Sequence, residues 1–162
     1  RITPATARRR ADKRIAITSA LFGLISPSDR IPAYRLSADC SLPGIGPLAG
    51  AWRDAIGRQL AETKGLILDM RSGAYVALGP VPAERLDATA SVRVLLEKSG
   101  RRSVVSHHNK ATKGRIVRAA LATSTQPTRV DQLIDYFADL GFRSELHNDR
   151  GHWRVDVVID TI

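Results

Sequence analysis

The sequence predicts a mixed α/β fold, in which a mixed sheet is flanked by helices. Short apolar segments rich in β-branched residues alternate with amphipathic helical segments, without a strict strand–helix–strand repeat. The chain has 162 residues, of which 43% are hydrophobic and 25% charged, so it can bury one sizeable core. We therefore expect a single domain over residues 1–162.

The first half of the chain is predicted to contain two strands and three helices. The opening residues are rich in Ala and Arg, which favours a helix. Residues 15–22 are nearly all apolar, as in a strand buried on both faces. Pro47 suits the first turn of a helix that continues to about Glu62, because apolar residues recur there at helical spacing. Residues 65–70 predict a second interior strand, and a short helix is expected around Tyr75.

The second half predicts a hairpin, two helices and a closing strand. The Ser-Gly pair at 99–100 lies between two β-prone segments, which indicates a hairpin turn. Helical patterns cover about 109–123 and 129–140. Residues 155–159 form a strand that we expect to pair with residues 143–147.

Positive charge is concentrated in one stretch of the chain. The formal net charge is +9 and the pI is about 10.6. Between Glu97 and Asp131 there is no acidic residue, whereas eight are basic: Lys98, Arg101, Arg102, Lys110, Lys113, Arg115, Arg118 and Arg129. A phosphate polymer is therefore the first candidate partner. Many ordinary cytosolic proteins are basic too, so charge alone does not choose the partner.

The remaining composition predicts a cytoplasmic protein without a metal or cofactor. Cys40 is the single cysteine, so an internal disulfide is excluded and a reducing compartment fits. No apolar segment approaches the roughly 20 residues of a membrane span, and no signal peptide is visible. His107 and His108 are adjacent in a predicted strand, so they point to opposite faces and cannot chelate one ion together.

A glycine turn directly precedes the predicted helix at Pro47. The sequence Gly44-Ile45-Gly46 is typical of the turn in a helix-hairpin-helix element. Two glycines let the backbone N–H groups point outwards, and the following helix adds free N–H groups, so a DNA phosphate can be bound without side-chain charge. The alternative is an ordinary tight turn that leads into a helix.

A lysine pair occupies the first turns of the helix predicted over 109–123. On a helical wheel Lys110 and Lys113 fall on the same side as the apolar residues, with Gly114 beside them, whereas Arg115 and Arg118 point away. Buried ammonium groups need compensation, so the pair is predicted to line a cleft that holds an anion or an internal carboxylate. Gly114 would allow close approach of a ligand, and Arg118 completes the predicted nucleic-acid-binding set. The alternative is that both lysine stems extend to solvent.

A second candidate ligand cleft follows the strand that ends at Met70. Arg71, Ser72 and Tyr75 come directly after this strand, where ligands bind in open sheets, and Ser106 is added to the same set. A helix cap by Ser72 with a packed Tyr75 is the alternative. Phosphate-loop, dinucleotide-binding and nucleophile-elbow motifs are absent, so catalytic residues are unknown and binding is favoured over catalysis.

Several sequence blocks resemble the YaaA family of bacterial peroxide stress response proteins, in the form found in actinobacteria. They are Ser19-Ala20-Leu21-Phe22-Gly23-Leu24-Ile25, Ile31-Pro32-Ala33-Tyr34-Arg35-Leu36, Leu68-Asp69-Met70-Arg71-Ser72 and Ser106-His107-His108-Asn109-Lys110-Ala111-Thr112-Lys113-Gly114. Family members are longer at the N-terminus, so we expect this chain to be about the C-terminal two-thirds of such a protein.

The resemblance implies a cytosolic protein with a compact family-specific α/β fold, a helix-hairpin-helix-like element and a basic cleft for duplex and damaged DNA. By position, the turn is Gly44–Gly46, and the cleft involves Arg35, Lys110, Lys113 and Gly114. His108 stands where relatives often have an aromatic residue. The resemblance implies no settled reaction.

The sequence therefore leads to two functional hypotheses. The first is a DNA-binding protein that protects the cell against hydrogen peroxide and iron-driven oxidative damage. The second is an enzyme or binding protein for a small phosphorylated or nucleotide-like ligand held by Lys110 and Lys113. Iron sequestration has little support, because clusters of metal ligands are lacking.

Overall fold

The structure is a computed structural model that describes residues 5–105 and 109–160. The chain divides into two compact units. The first contains the residues up to Thr63 together with Arg71–Arg85. The second contains Lys64–Met70 and the residues from Leu86 onwards. The chain therefore contributes one short segment, Lys64–Met70, to the second unit before it returns to the first.

The first unit combines three helices with two small two-stranded sheets. In chain order its elements are α1 (Ala5–Arg14), β1 (Ile17–Ser19), β2 (Gly23–Ile25), β3 (Ser41–Leu42), β4 (Gly46–Pro47), α2 (Leu48–Glu62) and α3 (Gly73–Ala77). Strand β1 pairs antiparallel with β2, and β3 pairs antiparallel with β4. The helices expected at the start of the chain, after Pro47 and around Tyr75 are thereby confirmed.

The prediction of an interior strand over residues 15–22 was wrong. The segment turns back on itself, and Ile17 is 43% exposed. The turn forms because the Ser19 Oγ accepts hydrogen bonds from the backbone N–H groups of Leu21 and Phe22, at 3.2 and 2.9 Å. Gly23, with φ +73°, completes the reversal.

Helix α2 contributes three large apolar side chains to the buried face of this unit. Leu48, Ile56 and Leu60 recur at helical spacing and are buried. The indole Nε1 of Trp52 donates a hydrogen bond to the carbonyl of Ala20 at 2.9 Å, which fixes the ring beside the β1–β2 turn. The spacing read from the sequence therefore identifies the correct core face of α2.

No helix forms over residues 15–47, which precede α2. A helix-hairpin-helix element needs a helix on each side of its turn, whereas here loop, turns and short strands lead into the turn at Gly44–Gly46. Pro27 and Pro32 interrupt this stretch, and each lacks the N–H that a helix interior requires. The residues at Gly44–Gly46 therefore form a β-turn that leads into one helix, α2, and the helix-hairpin-helix element is not confirmed.

The second unit is a mixed sheet with helices packed on it. Its elements are β5 (Ile67–Asp69), β6 (Thr89–Lys98), β7 (Arg101–Val104), α4 (Asn109–Ala122), α5 (Leu133–Asp139), β8 (Ser144–Asp149) and β9 (His152–Ile159). Short 3-10 helices, Ala83–Ala88 and Val130–Gln132, precede β6 and α5. The predicted mixed sheet, the hairpin and both helices are confirmed.

The sheet order is β5-β6-β9-β8, with β7 also paired to β6. Strand β6 is parallel to β5 and β9 and antiparallel to β7, whereas β8 and β9 are antiparallel. Because β9 occupies one edge of β6, β5 and β7 share the other edge. The predicted interior strand over 65–70 is therefore an end strand of the described sheet.

Helices α4 and α5 cover one face of this sheet. Ile116 from α4 and Leu133 and Phe137 from α5 pack with Val155 and Val157 of β9. Full burial of such side chains stabilises a fold by about 1.5–3 kcal/mol each. The core thus fixes the orientation of α4, on which Lys110, Lys113, Gly114 and Arg118 lie.

None of the helices within residues 5–105 and 109–160 is both long enough and apolar enough to cross a membrane.

Candidate functional site

The glycine turn is exposed at the tip of the β3–β4 hairpin. Gly44 and Gly46 have φ of +76° and +84°, a region that favours glycine. The side chain of Ile45 between them is 63% exposed, and its N–H donates to the carbonyl of Leu42 at 3.1 Å. No atom lies within 4 Å of the Cβ position that either glycine would carry. The outer surface of the turn is therefore open to a large partner.

Helix α4 presents a basic face, which we define as Lys110, Gly114, Arg115 and Arg118. All four residues are exposed, and the three cations form no ion pair or hydrogen bond with the described residues. At 1.5 Å per residue, the basic face extends over about 12 Å of the helix. The Cβ position of Gly114 has no atom within 4 Å, so a partner's backbone can approach the helix there. This row of cations favours a polyanion with regularly spaced charges over a ligand with a single negative group.

Lys110 does not share the environment of Lys113. The sequence places both on the apolar side of α4, but Lys110 is exposed and only Lys113 is partly buried. The buried side of the helix is centred on Thr112 and Ile116, which are both almost fully inaccessible. The predicted pairing of the two lysines in one cleft is therefore corrected.

Lys113 lies against the end of β5. Its Nζ donates a hydrogen bond to the backbone carbonyl of Met70 at 3.0 Å. Burial lowers the pKa of the Lys113 ammonium, while the negative charge of Asp69 opposes this change; burial has the larger effect, so the pKa is below its usual value. Lys113 is thus a positioned amine that loses its proton more readily than a surface lysine.

Two polar atoms on the same side of α4 have no hydrogen-bond partner among the described residues. They are the Oδ1 of Asn109 and the Oγ1 of Thr112, both inaccessible to solvent. Thr112 as a whole is only 1% exposed. Buried polar atoms are normally paired, so unpaired acceptors beside Lys113 indicate a place where a donor group can bind.

Two arginines of the acid-free stretch are neutralised by carboxylates from outside it. Arg102 donates to Glu97 at 2.9 Å and to Glu145 at 2.8 Å, and these bonds raise its pKa. Arg129 pairs with Asp131. These two arginines therefore contribute little net charge to the surface, and the basic face of α4 carries more of the field than the sequence alone indicates.

The opposite face of the sheet carries a compact ion cluster. Asp156 is 2% exposed and accepts hydrogen bonds from Arg93 at 2.8 and 2.5 Å and from Arg154 at 3.0 Å. Burial would raise the pKa of this carboxyl, but the two arginines outweigh burial and hold it below its usual value. The buried negative charge of Asp156 is compensated, so the cluster is a structural feature of the sheet.

The second predicted cleft has a different arrangement in the structure. The Nη1 of Arg71 donates to the carbonyl of Gly79 at 2.8 Å, which ties Arg71 to its own unit. Ser72 occupies the N-cap position of α3 but makes no side-chain cap hydrogen bond, and Tyr75 is partly buried. Ser106, with His107 and His108, lies outside the described residues.

The predicted site residues belong to different units. Arg35 and the glycine turn lie in the first unit, where Arg35 is exposed and forms no ion pair with the described residues. Lys110, Lys113, Gly114 and Arg118 lie in the second unit on α4. Across residues 5–105 and 109–160, no group of three or more His, Cys, Asp or Glu side chains could hold a metal ion.

Sequence reasoning missed four contributors: Asp69, Asn109, Thr112 and Arg115. Asn109 and Lys113 are four residues apart, which places them on the same side of a helix, so part of this arrangement could have been found. The helical wheel separates Arg115 and Arg118 from Lys110, whereas all three side chains are exposed in the structure. Asp69 required knowledge of the sheet, because its effect on Lys113 depends on the position of β5 beside β6.

The fold and the site together define a basic mixed α/β protein that presents unpaired cations from one helix. Comparison with known proteins narrows this class. The family model described as peroxide stress protein YaaA matches residues 2–146. The chain belongs to this family.

Curated relatives carry the family designation UPF0246. A protein of Streptomyces coelicolor is 42% identical over 163 residues, covering 98% of this chain and 62% of the relative. A protein of Corynebacterium efficiens is 37% identical over 153 residues, covering 92% of this chain and 59% of the relative. A protein of Salinispora tropica is 33% identical over 148 residues, covering 89% and 54%. The chain thus spans somewhat more than half the length of these relatives.

Proposed function

We propose that this chain is a DNA-binding part of a peroxide stress protein, which binds duplex or damaged DNA through its phosphates and limits oxidative damage. The observation that carries the proposal is the basic face of α4, where Lys110, Arg115 and Arg118 are exposed and unpaired within the described residues. Membership of the peroxide stress family supplies the biological setting.

Phosphate contacts explain why these cations are grouped on one helix face. Three cations over about 12 Å match a partner whose negative charges repeat at short intervals. Gly114 removes the steric barrier at the centre of this face. In the other unit, the exposed turn at Gly44–Gly46 is a separate candidate for a phosphate contact, because its glycines leave the backbone open.

The salt dependence of duplex binding tests this proposal. The full chain should bind a duplex with an affinity that falls steeply with salt, by about 0.9 units of log–log slope per neutralised phosphate. The triple variant K110A/R115A/R118A should lose about two to three units of this slope. A control triple variant, R9A/K13A/K64A, removes the same formal charge from exposed positions outside the basic face.

Equal slopes for the two triple variants would contradict the role of the basic face, and a flat salt response of the unmodified chain would contradict phosphate binding altogether.

Protection is tested separately by exposing plasmid DNA to ferrous iron and hydrogen peroxide. The unmodified chain should reduce strand nicking, and the basic-face variant should protect less than the control variant.

A small phosphorylated ligand is the second candidate. It is favoured by the partly buried Lys113 beside the unpaired Asn109 Oδ1 and Thr112 Oγ1. Calorimetric titration with a nucleoside monophosphate and with inorganic phosphate distinguishes the two functions. Stoichiometric binding of either compound, lost in K113A and unaffected by duplex DNA, would favour the small-ligand function.

A further inference from the structure

Lys113 differs from Lys110, the other lysine of α4, in its surroundings. Lys110 is exposed, so its ammonium group is hydrated. Lys113 is partly buried, its Nζ is held by the carbonyl of Met70, and its pKa is lowered by burial. A phosphate-binding lysine gains nothing from a lowered pKa, because it needs its charge. A lysine that acts as a nucleophile needs the free amine.

The groups around Lys113 are those that amine chemistry requires. Asp69 is 9% exposed, and its negative charge acts on Lys113. Asn109 lies one helical turn before Lys113 on the same side of α4, and its Oδ1 is buried without a partner among the described residues. The amine therefore lies near a carboxylate that can accept a proton and near an acceptor for a hydroxyl of the substrate.

DNA offers a carbonyl substrate of one kind in particular. Loss of a base, a frequent result of oxidative attack, leaves a deoxyribose whose open form carries an aldehyde at C1′ and a free hydroxyl at C4′. An amine condenses with such an aldehyde without any oxidant, reductant or cofactor. The sugar that carries the aldehyde is small and is linked to a phosphate on each side. The neighbouring basic face of α4 can therefore bind the strand while the sugar reaches Lys113.

We infer that Lys113 captures abasic sites in DNA by forming a reversible imine with the C1′ aldehyde, with Asp69 as the proton carrier and Asn109 as the acceptor for the sugar hydroxyl. This inference rests on the proposed DNA-binding function. It adds a substrate class, the abasic lesion, and a catalytic residue, Lys113.

The step is balanced within the protein and the lesion. The lone pair of the Lys113 amine attacks C1′, and a C–N bond forms while the carbonyl π electrons move to oxygen. Two protons pass from nitrogen to that oxygen, with Asp69 carrying them, and the C1′–O bond breaks as water leaves. The product is an imine between Nζ and C1′, and addition of water reverses it.

Reductive trapping tests the inference on the full chain. A duplex with one abasic site, made by removing uracil from DNA, is mixed with the protein and sodium cyanoborohydride, which reduces an imine to a stable amine. We expect a covalent protein–DNA adduct, and proteolysis with mass spectrometry should place it on Lys113. K113R keeps the positive charge but cannot form an imine of this kind, so the adduct should fall at least tenfold. K64A, which replaces an exposed lysine of the same unit, should give as much adduct as the unmodified chain.

Mapping of the adduct to the N-terminal amine or to surface lysines would overturn the inference, as would an equal yield in K113R. D69N and N109A separate chemistry from binding, because both should slow adduct formation while leaving the affinity for an aldehyde-free analogue within about threefold. That analogue, a duplex containing tetrahydrofuran, has no carbonyl and reports binding alone.

The two proposals fail in different ways. If the chain binds the tetrahydrofuran duplex but gives no Lys113 adduct with the aldehyde, the imine inference is wrong and DNA binding stands. If the chain binds neither duplex and gives no adduct, both proposals are wrong.

Discussion

At the scale of single residues, the chain uses its charges in three different ways. Asp156 is buried and compensated by two arginines, Arg102 is compensated on the surface, and Lys113 is held by a backbone carbonyl. In the sequence alone, each of these residues carries the same formal charge as an exposed residue of its type. Only the packing around each decides whether it stabilises the fold, cancels a neighbour or is available to a partner.

The buried carboxylate leads to a stability prediction. D156N should lower the free energy of unfolding by about 1–3 kcal/mol, because Arg93 and Arg154 lose a charged acceptor while remaining partly hydrated. Urea denaturation measures this change. D131N, which removes an exposed partner of Arg129, is the control and should leave the urea midpoint unchanged.

The same carboxylate predicts a dependence on pH. Its pKa in the folded protein is below its usual value, so its contribution to stability is complete above about pH 4 and is lost as the pH falls through the folded value. The difference in stability between the unmodified chain and D156N should therefore shrink as the pH is lowered below about 4. A difference that grew in acid would contradict this account.

Gly79 leads to a prediction about packing in the first unit. A Cβ at this position would lie 2.2 Å from the Cγ2 of Ile56, so G79A should lower the free energy of unfolding by about 1–3 kcal/mol. Gly57 in α2 has open space around its Cβ position, and G57A should raise that free energy by about 0.5–1 kcal/mol. Equal effects of the two substitutions in urea denaturation would show that α2 does not pack against Gly79.

At the scale of secondary-structure elements, helix α4 is the part of the chain where stability and binding are predicted to conflict. Gly114 weakens the helix interior, yet it is the point where a partner's backbone can come closest. Alanine would suit the helix better. The glycine is explained if the centre of the basic face of α4 must lack a side chain, so that a partner's backbone can approach the helix.

G114A should therefore stabilise the fold and weaken DNA binding together. We expect the free energy of unfolding to rise by about 0.5–1 kcal/mol and the affinity for duplex DNA to fall at least about threefold, or roughly 0.65 kcal/mol. G57A is the matched control, since it should stabilise by a similar amount without loss of affinity. Unchanged affinity of G114A would remove Gly114 from the predicted contact.

Elements with strong local signals were predictable from the sequence. The apolar spacing after Pro47 predicts α2, and the Ser-Gly pair at 99–100 predicts the β6–β7 turn, where Ser99 and Gly100 both have positive φ. The prediction of a strand over residues 15–22 was wrong because the Ser19 Oγ accepts a hydrogen bond from the backbone N–H of Phe22, and this turn competes with extended pairing. A pattern of hydrophobicity contains no information about that competition.

The orientation of α4 was only partly predictable, for a related reason. A wheel drawn from apolar residues assigns Lys110 to the buried side, because it gives no weight to Thr112, a polar residue that is 1% exposed. Including Thr112 moves the buried side away from Lys110 and towards Asn109 and Lys113. The contact between Lys113 and Met70 depends on strand order, which no local pattern specifies.

At the scale of the whole molecule, a net charge of +9 gives long-range attraction to polyanions but carries no code for base sequence. Affinities for three duplexes of equal length and unrelated sequence should therefore agree within about threefold at one salt concentration. Fluorescence anisotropy at low and moderate salt measures them. A preference of about a hundredfold for one sequence would indicate base contacts and contradict a phosphate-based grip.

The path of the chain restricts how the protein can be dissected. The polypeptide enters the second unit for Lys64–Met70, leaves it for Arg71–Arg85 and enters it again at Leu86. No contiguous fragment confined to one unit can contain both the carbonyl of Met70 and the helix that carries Lys113. A fragment that begins at Leu86 would retain the exposed cations of α4 but would lack the Met70 carbonyl that orients the Lys113 amine. Such a truncation would therefore separate attraction to polyanions from the chemistry assigned to Lys113.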